Sequence, residues 1–348
     1  MADIPFTVFS FLAFFLCIPP AYFNYKLAYR PWATLILIGW IAIFNLCLCV
    51  DSIIWASPDV ETWWPGYGWC DIDARLKDMF VIGVPGSAVG ICRFLADAIN
   101  PDPGQKDLQF HRMRRNMIDL FLGVGLPLII QAFKFIGEVS RYHIAGVDGC
   151  AGTIEYAWPA LFLYPIWAPI LCLVAGGYSC IPPSPESRLI IVLFIRHWWV
   201  RRKRMNELWE SGMRNGISKG DFRRLMITIL CVVFVYVPLS LYSLAGFLMA
   251  PKVPFDLSRI HGPLWKIILL EPRPKALWSS WIGVFLAFTS FILLGFTQNA
   301  KQAYFRCIEW GYDHTPKRLQ NRLGYMGRIS ANAKERRKMA KPGTSFET

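Results

Sequence analysis

The chain has 348 residues; 54% are hydrophobic, 18% are charged, and the formal net charge is +13. Soluble domains run near 25% charged, so this chain lacks the polar material to cover a soluble surface, and the two soluble domains its length would otherwise suggest are excluded. Its basic residues lie between and after apolar runs, which points to membrane topology and away from nucleic acid.

A spanning helix needs about 20 predominantly apolar residues. Met1, Ala2 and Asp3 lack the Lys or Arg that opens a cleaved signal peptide, so the first apolar run is expected to be a retained span. In chain order the pattern predicts spans at 4–24, 31–55, 70–94, 116–137, 156–180, 225–250 and 276–300. The third reaches full length only by taking in Asp71, Asp73, Arg75, Lys77 and Asp78. Asp71 with Arg75, and Asp73 with Lys77, stand at i,i+4 with the acid first, the favourable order. Those first turns either rise into the headgroups, the favoured reading, or face the bundle interior. In the fourth span, Asp119 and Lys134 lie near opposite ends and are expected to snorkel outward. Pro85, Pro127, Pro165, Pro169 and Pro238 mark kinks. The stretch Pro182-Pro-Ser-Pro-Glu-Ser187 interrupts the passage from the fifth span to the basic block after it.

The expected fold is therefore all-α: a seven-transmembrane helix bundle over residues 1–300, with a basic, polar tail at 301–348. If the N-terminus is outside, 28 of the 37 Lys and Arg residues fall on the cytoplasmic side. That asymmetry favours N-terminus out and C-terminus in.

The pattern also excludes chemistries. His111, His143, His197, His261 and His314 are dispersed and lie outside the spans, so no metal site is expected. No nucleophile elbow or phosphate loop is present. The last span holds no lysine for a retinal Schiff base. Asp51 and Asp119 sit near span ends, so the interior is expected to be neutral, which suits a ligand-operated switch better than an ion path. The reading is a protein that is not an enzyme and needs no cofactor.

Cys70 and Cys150 are the two cysteines placed outside, and a disulfide between them would tie the second outer loop across the bundle mouth. On the inner side, Arg201 and Arg202 belong to a basic block interleaved with Trp198, Trp199 and Trp209. That block either binds anionic membrane lipid, docks a cytosolic partner, or does both. Cys307, in a short amphipathic stretch after the last span, is a candidate for palmitoylation, with a plain buried thiol as the alternative.

Several stretches in this order carry a likeness to a known family. They are Asp51-Ser-Ile-Ile-Trp-Ala56, Trp69-Cys-Asp-Ile-Asp-Ala-Arg-Leu76, Ile91-Cys-Arg-Phe-Leu95, Gly149-Cys150, Trp158-Pro159 with Trp167, Phe222-Arg-Arg-Leu-Met226 with Pro238, and Gly295-Phe-Thr-Gln-Asn-Ala300 through Tyr304. Over about the first 310 residues the chain resembles the fungal a-factor-type (lipopeptide) mating-pheromone receptors, a branch of the class D G-protein-coupled receptors. The resemblance implies a plasma-membrane receptor, a farnesylated peptide pheromone as ligand and a heterotrimeric G protein as partner. The third span ends Cys92-Arg93-Phe94 and the seventh has no Asn-Pro-x-x-Tyr, departures from rhodopsin-like receptors that fit this branch. For such a ligand-operated switch Asp71 and Asp73 are the expected polar ligand contacts, and Arg93, Arg201, Arg202, Arg223 and Arg224 the expected G-protein face. The 182–187 interruption departs from the family pattern and leaves a divergent, uncoupled receptor as one alternative, with a small-solute transporter as the other.

Overall fold

The computed structural model describes residues 3–26, 32–99, 108–180, 219–256, 260–262, 265, 267–273, 275–296, 300 and 304–306. Arg201, Arg202, the 182–187 stretch and Cys307 lie outside them.

The first helix, α1 (Ile4–Tyr25), is capped by Asp3, whose carboxylate accepts from the Phe6 amide at 3.4 Å. Pro5 fits this first turn because an N–H there has no intrahelical partner. α2 (Trp32–Ile54) is uncharged until Asp51. α3 (Trp69–Ile99) is 31 residues long, about 46 Å at 1.5 Å per residue. That exceeds the hydrocarbon core of about 30 Å, so part of its charged start or of its end must stand beyond the hydrocarbon.

The fourth segment is continuous but irregular: α4 (Leu108–Leu120), a π-turn over Phe121–Gly125, then α5 (Leu126–Ile136). Pro127 has no N–H to give the Gly123 carbonyl, and the Trp40 indole N–H donates to that carbonyl instead at 2.7 Å. The fifth segment is broken. α6 (Trp158–Leu163) stops at Tyr164, just before Pro165, and α7 (Trp167–Cys180) restarts after it. α8 (Lys219–Met249) contains Pro238, and α9 (Trp281–Leu294) begins five residues later than the apolar run suggested.

Five of these helices are long and apolar enough to cross a membrane, and Trp167–Gly177 and Trp281–Leu294 are shorter apolar helices. Among the described residues, seven apolar helical segments thus make an integral membrane bundle. α3 is its centre: it packs against α2, α5, α7 and α8, while α1 closes the ring between α2 and α9. Val84, Ala88 and Ile91 of α3 are buried in one continuous core with Leu37 and Ile41 of α2 and Leu286 and Ala287 of α9.

At the end where α3 begins, three two-residue strands form a small sheet: β1 (His143–Ile144), β2 (Cys150–Ala151) and β3 (Leu269–Leu270). β1 pairs antiparallel with β2 and parallel with β3. A second small core, with Trp55, Trp63, Tyr142 and Ile144, packs around Cys70 and Cys150. The Cys70–Cys150 disulfide fixes this end. It is called the disulfide end below, and the opposite end, where α3 finishes and α8 starts, the basic end.

Candidate functional site

The disulfide end holds a network of buried charges. Lys77 ion-pairs with Asp51 of α2 and, at 2.8 Å, with Asp73 of its own helix; both carboxylates are fully buried. The Trp69 indole donates to the other Asp51 oxygen at 2.8 Å. Lys77 also donates to the backbone carbonyls of Asp148 at 2.8 Å and Cys150 at 3.3 Å. Below this cluster Lys134 pairs with Asp78 and lies 4.6 Å from the Tyr164 ring centre. The Tyr164 hydroxyl donates to the Asp78 carbonyl at 3.1 Å. Arg75 pairs with the buried Glu138. On the rim, Arg141 holds Asp71 through two bonds of 2.5 Å, and both partners are half-exposed beside the exposed Tyr67 and Ile72.

These facts correct three expectations. The interior is not neutral: charges at this end turn inward, because α2, α3, α5 and the loop supply opposite partners at hydrogen-bond range, and desolvation is tolerated only with such pairing. Lys134 does not snorkel, since Asp78 and the Tyr164 ring meet it inside, and Asp119 likewise turns inward. Of the two i,i+4 pairs, Asp73–Lys77 forms, but Asp71 and Arg75 each choose a partner from the segment after α5. Asp73 lies buried beneath the loop, held by Lys77, whereas Asp71 stands on the rim.

Outside the spans, burial pushes the Asp148 and Glu138 carboxyls above the ordinary carboxylate range. Hydrogen bonds from Ser280 and the Leu277 amide oppose that push at Asp148, and Arg75 opposes it at Glu138. Asp51, Asp73 and Cys150 come within reach of one another as metal ligands would. The Cys150 sulfur is spent in the disulfide and Lys77 already neutralises the carboxylates, so this donor set does not fit a metal.

At the basic end, Arg93 donates to Asp119 at 2.7 Å and to the Arg115 carbonyl at 2.9 Å. It therefore joins α3 to α4. Arg223 is exposed at the start of α8, and Arg224 faces Asp221 at 3.5 Å. Mid-bundle, Tyr236 is buried in α8 just before Pro238, its ring 6.2 Å from Phe80, and its hydroxyl meets no partner among the described residues. Sequence reasoning passed over Asp148, Glu138 and Tyr236, and took Lys77 only as the i,i+4 partner of Asp73. The available signal was the rule that ionisable residues within membrane spans are functional by default, which applied to Lys77 and Asp51 alike.

The chain matches the Pheromone A receptor family over residues 5–315. It belongs to that family. It is 26% identical to the Pheromone a factor receptor of Saccharomyces cerevisiae over 305 residues, covering 86% of this chain and 61% of the yeast protein. It is 25% identical to the Pheromone M-factor receptor of Schizosaccharomyces pombe, covering 79% of this chain and 70% of that one. Pheromone receptor 1 of Ustilago hordei is also 25% identical, at 85% and 81% coverage. The chain thus spans under two thirds of the Saccharomyces cerevisiae receptor's length. Squid rhodopsin overlaps 90% of this chain and 81% of its own at 14% identity and a TM-score of 0.44, too distant a likeness to carry any residue-level reading. As a member of a receptor family, this pheromone-receptor chain is not an enzyme.

Proposed function

We propose that this chain is a plasma-membrane G-protein-coupled receptor for a farnesylated peptide pheromone, with its disulfide end outside and its basic end in the cytosol. The family match over residues 5–315 carries the reading. The orientation rests on two physical arguments: disulfides persist in oxidising compartments, and Lys and Arg gather on the cytoplasmic side.

In this reading the peptide meets the outer rim, where Asp71 and Arg141 stand exposed beside Tyr67 and Ile72. Asp73 serves from beneath as support. The lipid tail buries its apolar area against the spans or at the bilayer edge. A ligand shifts a two-state bundle only by its differential affinity for the two states. On the inner side Arg93, Arg223 and Arg224 border the cleft that receives a heterotrimeric G protein, and Arg201 and Arg202 add basic charge for that partner and for anionic membrane lipid.

The test is expression in a receptor-null yeast reporter strain challenged with a panel of farnesylated peptides. At least one peptide is expected to activate the reporter, and its unprenylated form to do so far less. Silence to every lipopeptide at normal surface expression would refute the reading. A measured solute flux would favour a transporter instead. Glycosylation-site mapping checks the orientation, and a glycosylated tail would reverse it.

A further inference from the structure

Connecting segments normally run over the surface, because a buried one must find partners for its backbone polar groups. The turn between β1 and β2 breaks that habit. Ile144, Ala145, Val147 and Cys150 are at most 3% exposed, and Asp148 is 9% exposed. Its polar groups are met one by one. Within the turn, Ala145 donates to the Gly149 carbonyl at 2.8 Å and Gly149 to the Gly146 carbonyl at 2.9 Å. The Ile144 carbonyl accepts from Glu271 at 2.8 Å, beside β3. The carbonyls of Asp148 and Cys150 accept from Lys77. The Asp148 carboxylate accepts from the Leu277 amide at 3.0 Å and from the Ser280 hydroxyl at 2.6 Å, at the approach to α9.

The fit is close on both sides. Gly149 sits at φ +74° against Asp51, and a Cβ there would lie 2.0 Å from the carboxylate. Gly146, at φ +55°, would put a Cβ 2.3 Å from the Arg273 carbonyl. Only glycine takes these positive φ values without strain, so the chain supplies it where the turn presses between α2 and the approach to α9.

We propose that the 144–150 turn is a plug seated in the bundle mouth at the disulfide end, and that Lys77 and Asp148 are the positioning residues that hold it shut. The two latches meet at Asp148, Lys77 on its carbonyl and the approach to α9 on its carboxylate. Lys77, held between Asp51 and Asp73, ties the plug to α2 and α3. Asp148 ties it to the start of α9. The disulfide anchors one end of the turn at Cys150, β1 is paired with β3 at the other, and between them the Val147 amide donates to the Arg273 carbonyl at 3.5 Å beside the two latches. Seated so, the plug keeps water from the buried residues beneath it. The closure rests on geometry and needs neither pheromone nor G protein for its test.

That test uses the full chain in lipid nanodiscs and a water-soluble maleimide, with labelling followed at each cysteine by peptide mass spectrometry. Val147→Cys reports the plug, and Tyr67→Cys, at an exposed position, sets the unhindered rate. Val147→Cys is expected to label at least tenfold more slowly than Tyr67→Cys. Adding Lys77→Met or Asp148→Ala should each raise the Val147→Cys rate about tenfold. Asp148→Asn, which keeps an acceptor oxygen for the Leu277 amide, should leave it slow. Should Lys77→Met fail to fold, the Asp148→Ala and Asp148→Asn pair decides alone. Equal rates at positions 147 and 67 in the otherwise unchanged chain would overturn the plug. A slow rate that Asp148→Ala does not move would overturn the latch. Because no ligand is used, the labelling rates decide the matter even for a receptor that answers no lipopeptide.

Discussion

At the disulfide end, Arg75–Glu138, Lys77–Asp51, Lys134–Asp78 and Arg141–Asp71 each join separate elements, and a covalent bond adds to them. At the basic end, the described ion pairs are Arg93–Asp119, which bridges two helices, and Arg224–Asp221, which stays within one turn of α8. Among the described residues, four ion pairs brace separate elements at the disulfide end and one does so at the basic end. Cross-bracing fixes relative helix positions, so the disulfide end is held as a frame.

Breaking the covalent brace should have the largest effect. Cys150→Ser opens a link across 80 residues of sequence, and losing such a link costs about 4 kcal/mol. Surface-expressed protein, counted by flow cytometry, is expected to fall severalfold; unchanged expression would contradict the bracing. The next effect belongs to Arg93. Arg93→Ala removes the charge-assisted bond from Arg93 to the nearly buried Asp119 carboxylate, a loss of about 2 kcal/mol. The swapped pair Arg93→Asp with Asp119→Arg should restore much of the thermal stability in detergent without restoring reporter output, if Arg93 also meets the G protein. Full recovery of output would make it a brace only.

A smaller effect is expected at the rim. Arg141→Ala removes a half-exposed pair, worth under about 1 kcal/mol of stability, yet should raise the pheromone dose for half-maximal response. An unchanged dose would remove the rim from the ligand site. The smallest effect is a slope with pH. Asp148 and Glu138 have folded-state pKa values raised by burial. Their contribution is therefore fully present below the ordinary carboxylate range and is lost as pH rises through the raised values. The melting temperature should fall slightly across that window, and Asp148→Asn should flatten the trend; a rise would show the sign to be wrong.

The helical framework was readable because a span must be apolar along its whole length, and the long apolar runs within Ile4–Tyr25, Trp32–Ile54 and Gly220–Met249 coincide with helices at those places. The charged start of the third span was harder. Local spacing offered Arg75 as the partner of Asp71, but Arg141 lies beside it in space and 70 residues away in sequence. The i,i+4 rule describes an isolated helix, and here neighbouring segments outbid it. The plug was invisible for a similar reason. Two-residue strands have no periodicity to read, and a turn rich in small residues resembles any surface loop until its contacts with α2 and α9 are known. Pro165 did mark the break in the fifth segment, though not that the helix would stop and restart around Tyr164.

Tyr236 has a consequence of its own. Its hydroxyl is buried and, among the described residues, unbonded, two residues before Pro238. Such a hydroxyl raises the free energy of its host by about 1–3 kcal/mol. A swivel of α8 at the proline joint that brought this oxygen to a carbonyl would recover that amount. Tyr236→Phe, which removes that hydroxyl and keeps the ring, should raise the melting temperature in detergent and quieten ligand-free signalling in the reporter strain.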